Sequence, residues 1–131
     1  MKKVVLLLRV TTNSQDYEYQ RSTLTGLFNR NGWQIVNTFE NKVSGAKKNE
    51  ERTEIVELLG YIKNNEVDMV MATEVSRVGR NTLEALKTIE ILNENKVNLY
   101  FANYNIETLL PDKSVNPIAR LILTICLEIS A

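Results

Sequence analysis

Four arginines and one hydroxyl stand at or near the ends of apolar runs, where they could converge on one anion. Arg9 and Thr11 close the first apolar run, residues 4–11, and Arg77 and Arg80 follow another, residues 67–73. Arg52 follows the polar stretch that separates the two runs. A guanidinium group is planar, stays charged and grips a phosphate through two parallel hydrogen bonds. A hydroxyl among such groups suits attack on a phosphodiester. Residues two apart on a strand share a face, so Arg9 and Thr11 can present a clamp and a nucleophile together. Arg77 and Arg80, three apart, share a side if their segment is a helical turn, and Glu74 can ion-pair with one of them at most. Gln15 and Gln20 follow Thr11 closely, and either amide can bond a phosphate oxygen or orient the hydroxyl. Ser44 and Arg52 flank a long polar loop. Each of these residues alone reads better as ordinary surface or strand; their joint fall at or near strand ends gives the pattern its weight.

Elements must bring these residues together. The chain has 131 residues, enough for one domain with a core, residues 1–131, and too short for two ordinary ones. The first strand is apolar on both faces, as a central parallel strand should be. The pattern predicts a helix over 16–31 with Tyr17, Leu24, Leu27 and Phe28 on its stripe, closed by Asn31 and Gly32. A strand over 33–39 precedes a polar, aperiodic loop over 40–50, the longest in the chain. A helix over 51–64 turns Ile55, Leu58, Leu59 and Ile62 to one face, and the third strand spans 67–73. A helix over 81–95 buries Leu86, Ile89 and Leu92, a fourth strand spans 97–102, and 105–107 offers a short fifth. This order predicts an α/β fold, with a mostly parallel central sheet of four to five strands and helices on both faces.

Composition removes several chemistries. There is no histidine and one cysteine, Cys126, so Ser-His-Asp and Cys-His catalysis, ordinary zinc sites and an internal disulfide are excluded. The five glycines form neither a Walker A loop nor a dinucleotide fingerprint, and no cofactor is expected. No apolar run approaches the roughly 18 residues of a membrane span, so a cytoplasmic protein with no membrane partner is expected. Net charge is zero, whereas a free-standing DNA-binding domain is usually basic. If the chain acts on DNA, most of the grip comes from elsewhere.

The last helix, starting near Pro117, is apolar nearly all round. Ile118, Leu121, Ile122, Ile125 and Ile129 line one face, and Leu123, Cys126 and Leu127 cover much of the rest. One face can dock on the sheet, and the other then needs a partner. The chain ends at Ala131 without a capping glycine or a basic last turn. An oligomer interface on a long helix truncated within its length is expected; a buried core helix at a natural C-terminus is the alternative.

The combination resembles the catalytic domain of the serine site-specific recombinases, the resolvase/invertase group, along essentially the whole chain. The family's Arg-Val-Ser stands here as Arg9-Val10-Thr11, its glutamines as Gln15 and Gln20, and its Lys-x-Ser-Gly as Lys42-Val43-Ser44-Gly45. Its next arginine stands as Arg52, and its Arg-x-x-Arg as Arg77-Val78-Gly79-Arg80, followed by Asn81-Thr82. Three positions depart from the pattern. Thr11 stands in the place of the serine nucleophile, Ser76 in that of an aspartate, and Asn41 in that of another. Threonine keeps the hydroxyl but adds a methyl beside it and stiffens the rotamer, which predicts slower attack.

The resemblance implies site-specific recombination of double-stranded DNA. Thr11 would attack a phosphodiester and form a covalent link, releasing a 3′ hydroxyl that later attacks back. Arg9, Arg52, Arg77, Arg80 and Gln20 would serve the reacting group without a metal, and Gln15, Ser44 and Lys42 would contact DNA. The resemblance further implies a homodimer, a homotetramer in the synaptic state, and a DNA-binding domain beyond this chain. Two other readings stay open. A disabled Thr11 would leave a module that assembles on DNA, and Glu40 and Glu74 could hold Mg²⁺ in a nuclease or phosphatase.

Overall fold

The computed structural model describes residues 2–10, 14–42, 53–74, 77–79 and 82–130, some of them by backbone alone. The elements are β1 (Lys3–Val10), α1 (Ser14–Asn31), β2 (Gln34–Lys42), α2 (Thr53–Asn64), β3 (Met69–Ala72), α3 (Thr82–Glu94), β4 (Asn98–Phe101), β5 (Ile106–Glu107) and α4 (Pro117–Ser130). They form an α/β fold around one five-stranded sheet in the order β2-β1-β3-β4-β5. The first four strands are parallel, and β5 returns antiparallel on β4, with Phe101 opposite Ile106.

From β1 the chain steps one way to β2, then crosses back over β1 to β3 and on to β4. Right-handed crossovers then place α1 on one face of the sheet and α2 and α3 on the other. The two cores match this division. Val4, Leu6, Leu8, Met69 and Met71 pack with Leu24 of α1. Val5, Leu7, Val70, Ala72, Leu99 and Phe101 pack with Leu58 and Ile62 of α2, Ile89 and Leu92 of α3, and Leu123 of α4. Residues 4–8 of β1 are all buried, as the apolar run predicts for a central strand. An irregularity in the β1–β2 register between Val4 and Val5 leaves Val36 unmatched. The extra residue lets Phe39 stand opposite Leu7 in the larger core; in unbroken register Thr38 would stand there.

The loop expected over 40–50 is shortened at its start. β2 continues through Glu40, Asn41 and Lys42, because a parallel ladder uses backbone groups and an edge strand tolerates polar side chains. At the other end of the sheet, Asp68 accepts the Lys3 backbone N–H at 2.8 Å and donates its own N–H to the Lys3 carbonyl at 2.9 Å. β3 therefore begins two residues later than the apolar run.

α1 is closed by Gly32, whose φ of +66° is the left-handed turn expected there. α4 begins at Pro117 behind Asn116, whose Oδ1 accepts the Ala119 N–H at 3.3 Å. Asn116 also donates Nδ2–H to the Glu107 carbonyl at 3.1 Å, which ties the helix start to β5. No helix among the described residues is long and apolar enough to cross a membrane.

Candidate active site

The direction of strand order reverses at β1, which makes the carboxyl ends of β1 and β3 the topological switch point of the sheet. Open α/β sheets bind ligands at such a switch point. Each helix that follows a parallel strand starts at this end of the sheet. The N-termini of α1, α2 and α3 therefore lie at this end, where their positive dipole ends favour an anion.

The fold brings several of the expected residues to this end. Arg9 lies one residue before the end of β1, paired in register with Asn41, and Val10 pairs with Lys42. Gln15 is in the first turn of α1. Gln20 is buried on the inner side of that helix, one turn before Leu24, with 1% of its surface exposed. That burial rules out the solvated position open to it in the sequence. Thr11, Ser44, Arg52 and Arg80 lie outside the described residues.

Arg77 follows β3 in a tight turn. Its N–H donates to the Glu74 carbonyl at 3.1 Å, and its Nη2 lies 3.1 Å from Glu74 Oε1. The guanidinium is partly buried, and its Nε–H is shut off from solvent with no acceptor among the described residues. Val78 is fully buried in the core, and Gly79 presses on the first turns of α3. A Cβ on Gly79 would stand 2.3 Å from the Ala85 nitrogen and 2.6 Å from its Cα, so only glycine fits. Burial of Val78 and the close approach of Gly79 fix the turn on which Arg77 rides.

Glu54 is not among the residues that the sequence singles out. It sits in the first turn of α2 and is buried, with 1% exposed. It reads in sequence as an ordinary acidic residue at a helix start, where the dipole favours it. Its signal is positional, two residues after Arg52 at the head of an amphipathic helix. Among the described residues, no three of the possible metal-ligating side chains gather. Glu74, one of the two carboxylates considered for Mg²⁺, is engaged by Arg77, and Glu40 is an exposed residue of β2.

A family model described as the resolvase N-terminal domain matches residues 4–131. The chain belongs to the resolvase family. This resolvase domain is also similar to solved structures. The N-terminal catalytic domain of TP901-1 integrase shares 29% identity at a TM-score of 0.73, covering 98% of this chain and 94% of that one. A resolvase family site-specific recombinase from Streptococcus pneumoniae shares 26% identity at a TM-score of 0.75, covering 99% and 88%. The C-terminal catalytic domain of ISC1926 TnpA, an IS607-like serine recombinase, shares 22% identity at 0.64 over 78% and 67%, a likeness of fold. The mostly parallel sheet and its flanking helices are thus those of a resolvase catalytic domain.

Proposed function

We propose that this resolvase domain performs site-specific recombination of double-stranded DNA through a covalent link at Thr11, without a metal. The family carries the coarse reading. The finer one is supported by one observation above all: Arg9 on β1 and Arg77 after β3 stand on the two strands that flank the switch point.

In the first step the Thr11 Oγ–P bond forms, the bond from phosphorus to the 3′ oxygen breaks, and the threonine proton ends on that oxygen. In the second, a 3′ hydroxyl from the exchanged end attacks phosphorus, and Thr11 leaves as the free alcohol. Bond energy is held in the protein–DNA ester, so no nucleotide is consumed. Arg9, Arg52, Arg77 and Arg80 neutralise the charge that grows on the phosphoryl oxygens, and the helix N-termini add to that field. Gln20 positions the reacting group from its buried site. Gln15, Ser44 and Lys42 contact the DNA backbone, and a DNA-binding domain beyond α4 supplies most of the affinity.

Subunits meet through α4. Ile118, Leu121 and Ile125 are 69%, 63% and 51% exposed, and Ile122 is exposed beside them, while Ala119 and Leu123 face the core. This face forms the interface of a homodimer, and of a homotetramer when two sites are paired; the side chain of Ile129, expected on it, lies outside the described residues.

The deciding experiment incubates the full-length protein with DNA flanking its own coding sequence, in EDTA, and looks for a Thr11–DNA adduct by mass spectrometry. An adduct is expected, and Thr11→Ser should form it faster. Cleavage that stops in EDTA would favour metal hydrolysis. Cleavage that appears only with Thr11→Ser would make the native chain an assembly module.

A further inference from the structure

Among the described residues, Arg77 is oriented by one neighbour. Glu74 receives its backbone N–H and its Nη2, both at 3.1 Å, so a single residue holds it at both ends. Glu74 is itself mounted on the sheet: it follows Thr73, which is buried and whose carbonyl accepts the Asn103 N–H at 2.9 Å. Beyond Arg77 the chain is locked by Val78 in the core and Gly79 against Ala85. The Nε–H of Arg77 has no acceptor among the described residues, so nothing described there duplicates the Glu74 contact.

We infer that Glu74 is a positioning residue for phosphoryl transfer, holding the Arg77 guanidinium in the orientation that receives the phosphate. The inference rests on the function proposed above. A long side chain free to rotate must be ordered each time it grips a phosphate, and that ordering opposes binding. The Glu74 carboxylate orders it beforehand and leaves other guanidinium N–H groups for the ligand. Its negative charge partly offsets the cation, which weakens the pull on distant DNA while improving placement at the reacting atom. Placement matters more there, because an error of about 1 Å at a reacting centre costs on the order of a hundredfold in rate.

Three variants of the full-length protein, Glu74→Ala, Glu74→Gln and Arg77→Ala, test this, each also in a Thr11→Ser background. Single-turnover cleavage of DNA flanking the coding sequence should fall about tenfold to a hundredfold in Glu74→Ala. Glu74→Gln keeps an acceptor oxygen and should recover most of that loss, with melting temperatures of both close to the parent. In ¹⁵N spectra of arginine side chains, the Arg77 Nε–H signal should be sharp in the parent and in Glu74→Gln and broadened in Glu74→Ala. If Arg77→Ala fails to cleave while Glu74→Ala cleaves as fast as the parent or faster, the positioning role is wrong. If Arg77→Ala cleaves normally, the reading of the site fails instead, and the spectra alone decide whether Glu74 orders Arg77.

Discussion

At the scale of single residues, the proposed site combines groups the chain places openly with groups only packing puts there. Arg77 was legible because arginine after an apolar strand, with too few acids nearby to cancel it, is a standing cation. The spacing left Glu74 able to pair with one of the two arginines, and the structure pairs it with Arg77; the partial burial of Arg77 follows from the turn, and no local pattern announces it. Gln20 and Glu54 are the reverse case. Both look like surface residues in sequence, and both are buried in helices that face the sheet near its carboxyl edge. A charge-stabilising role for Arg77 makes a direct prediction. Arg77→Ala should reduce strand cleavage by a factor on the order of 10²–10³, as loss of one transition-state donor does elsewhere. Stability should change little, because the Glu74–Arg77 pair is partly solvated and such pairs contribute about 0–1 kcal/mol. A thermal melt beside a cleavage assay separates the two effects, and an unfolded variant would make the residue structural.

At the scale of elements, strand, turn and helix are matched closely enough that one hydrogen atom's replacement matters. Gly79 is tight against the backbone of α3, whereas a Cβ added at Gly26, in the exposed middle of α1, would meet nothing within 4 Å. Gly79→Ala should destabilise the domain by about 1–3 kcal/mol, as overpacking does, and should also impair cleavage because Arg77 rides on that turn. Gly26→Ala should instead stabilise it by about 0.5–1 kcal/mol through helix propensity. Urea midpoints of the two variants moving in the same direction would contradict the packing described for the 77–79 turn. The helices were the most legible elements, since their apolar stripes repeat over three or more turns. Strand limits were less so, because β2 runs on through polar residues and β3 starts inside an apolar run.

At the scale of the whole molecule, α4 lies partly outside the fold it completes. Its inner residues Ala119 and Leu123 are buried, and four large apolar side chains at i, i+3, i+4 and i+7 face outward. A soluble chain covers such a stripe with another surface. Leu121→Glu combined with Ile125→Glu should weaken self-association by at least about tenfold per residue, since burying each side chain is worth about 1.5–3 kcal/mol. Sedimentation equilibrium over a range of concentrations measures this, and an unchanged mass distribution would free α4 of the role. Such a variant should still melt as a folded domain, because the substituted positions leave the core untouched.

The sequence by itself determined which segments are helix or strand, which groups can bind a phosphate, and that the last helix has more apolar surface than one sheet face can cover. These are local properties, set by side-chain period and chemistry over a few turns. Tertiary structure alone decided that β1 lies between β2 and β3, which of the α4 residues turn inward, and that Gln20 and Glu54 are withdrawn from water. Strand neighbours are chosen by backbone pairing between segments far apart in the chain, such as Leu6 with Met71, and a backbone ladder leaves no mark on the side chains that flank it.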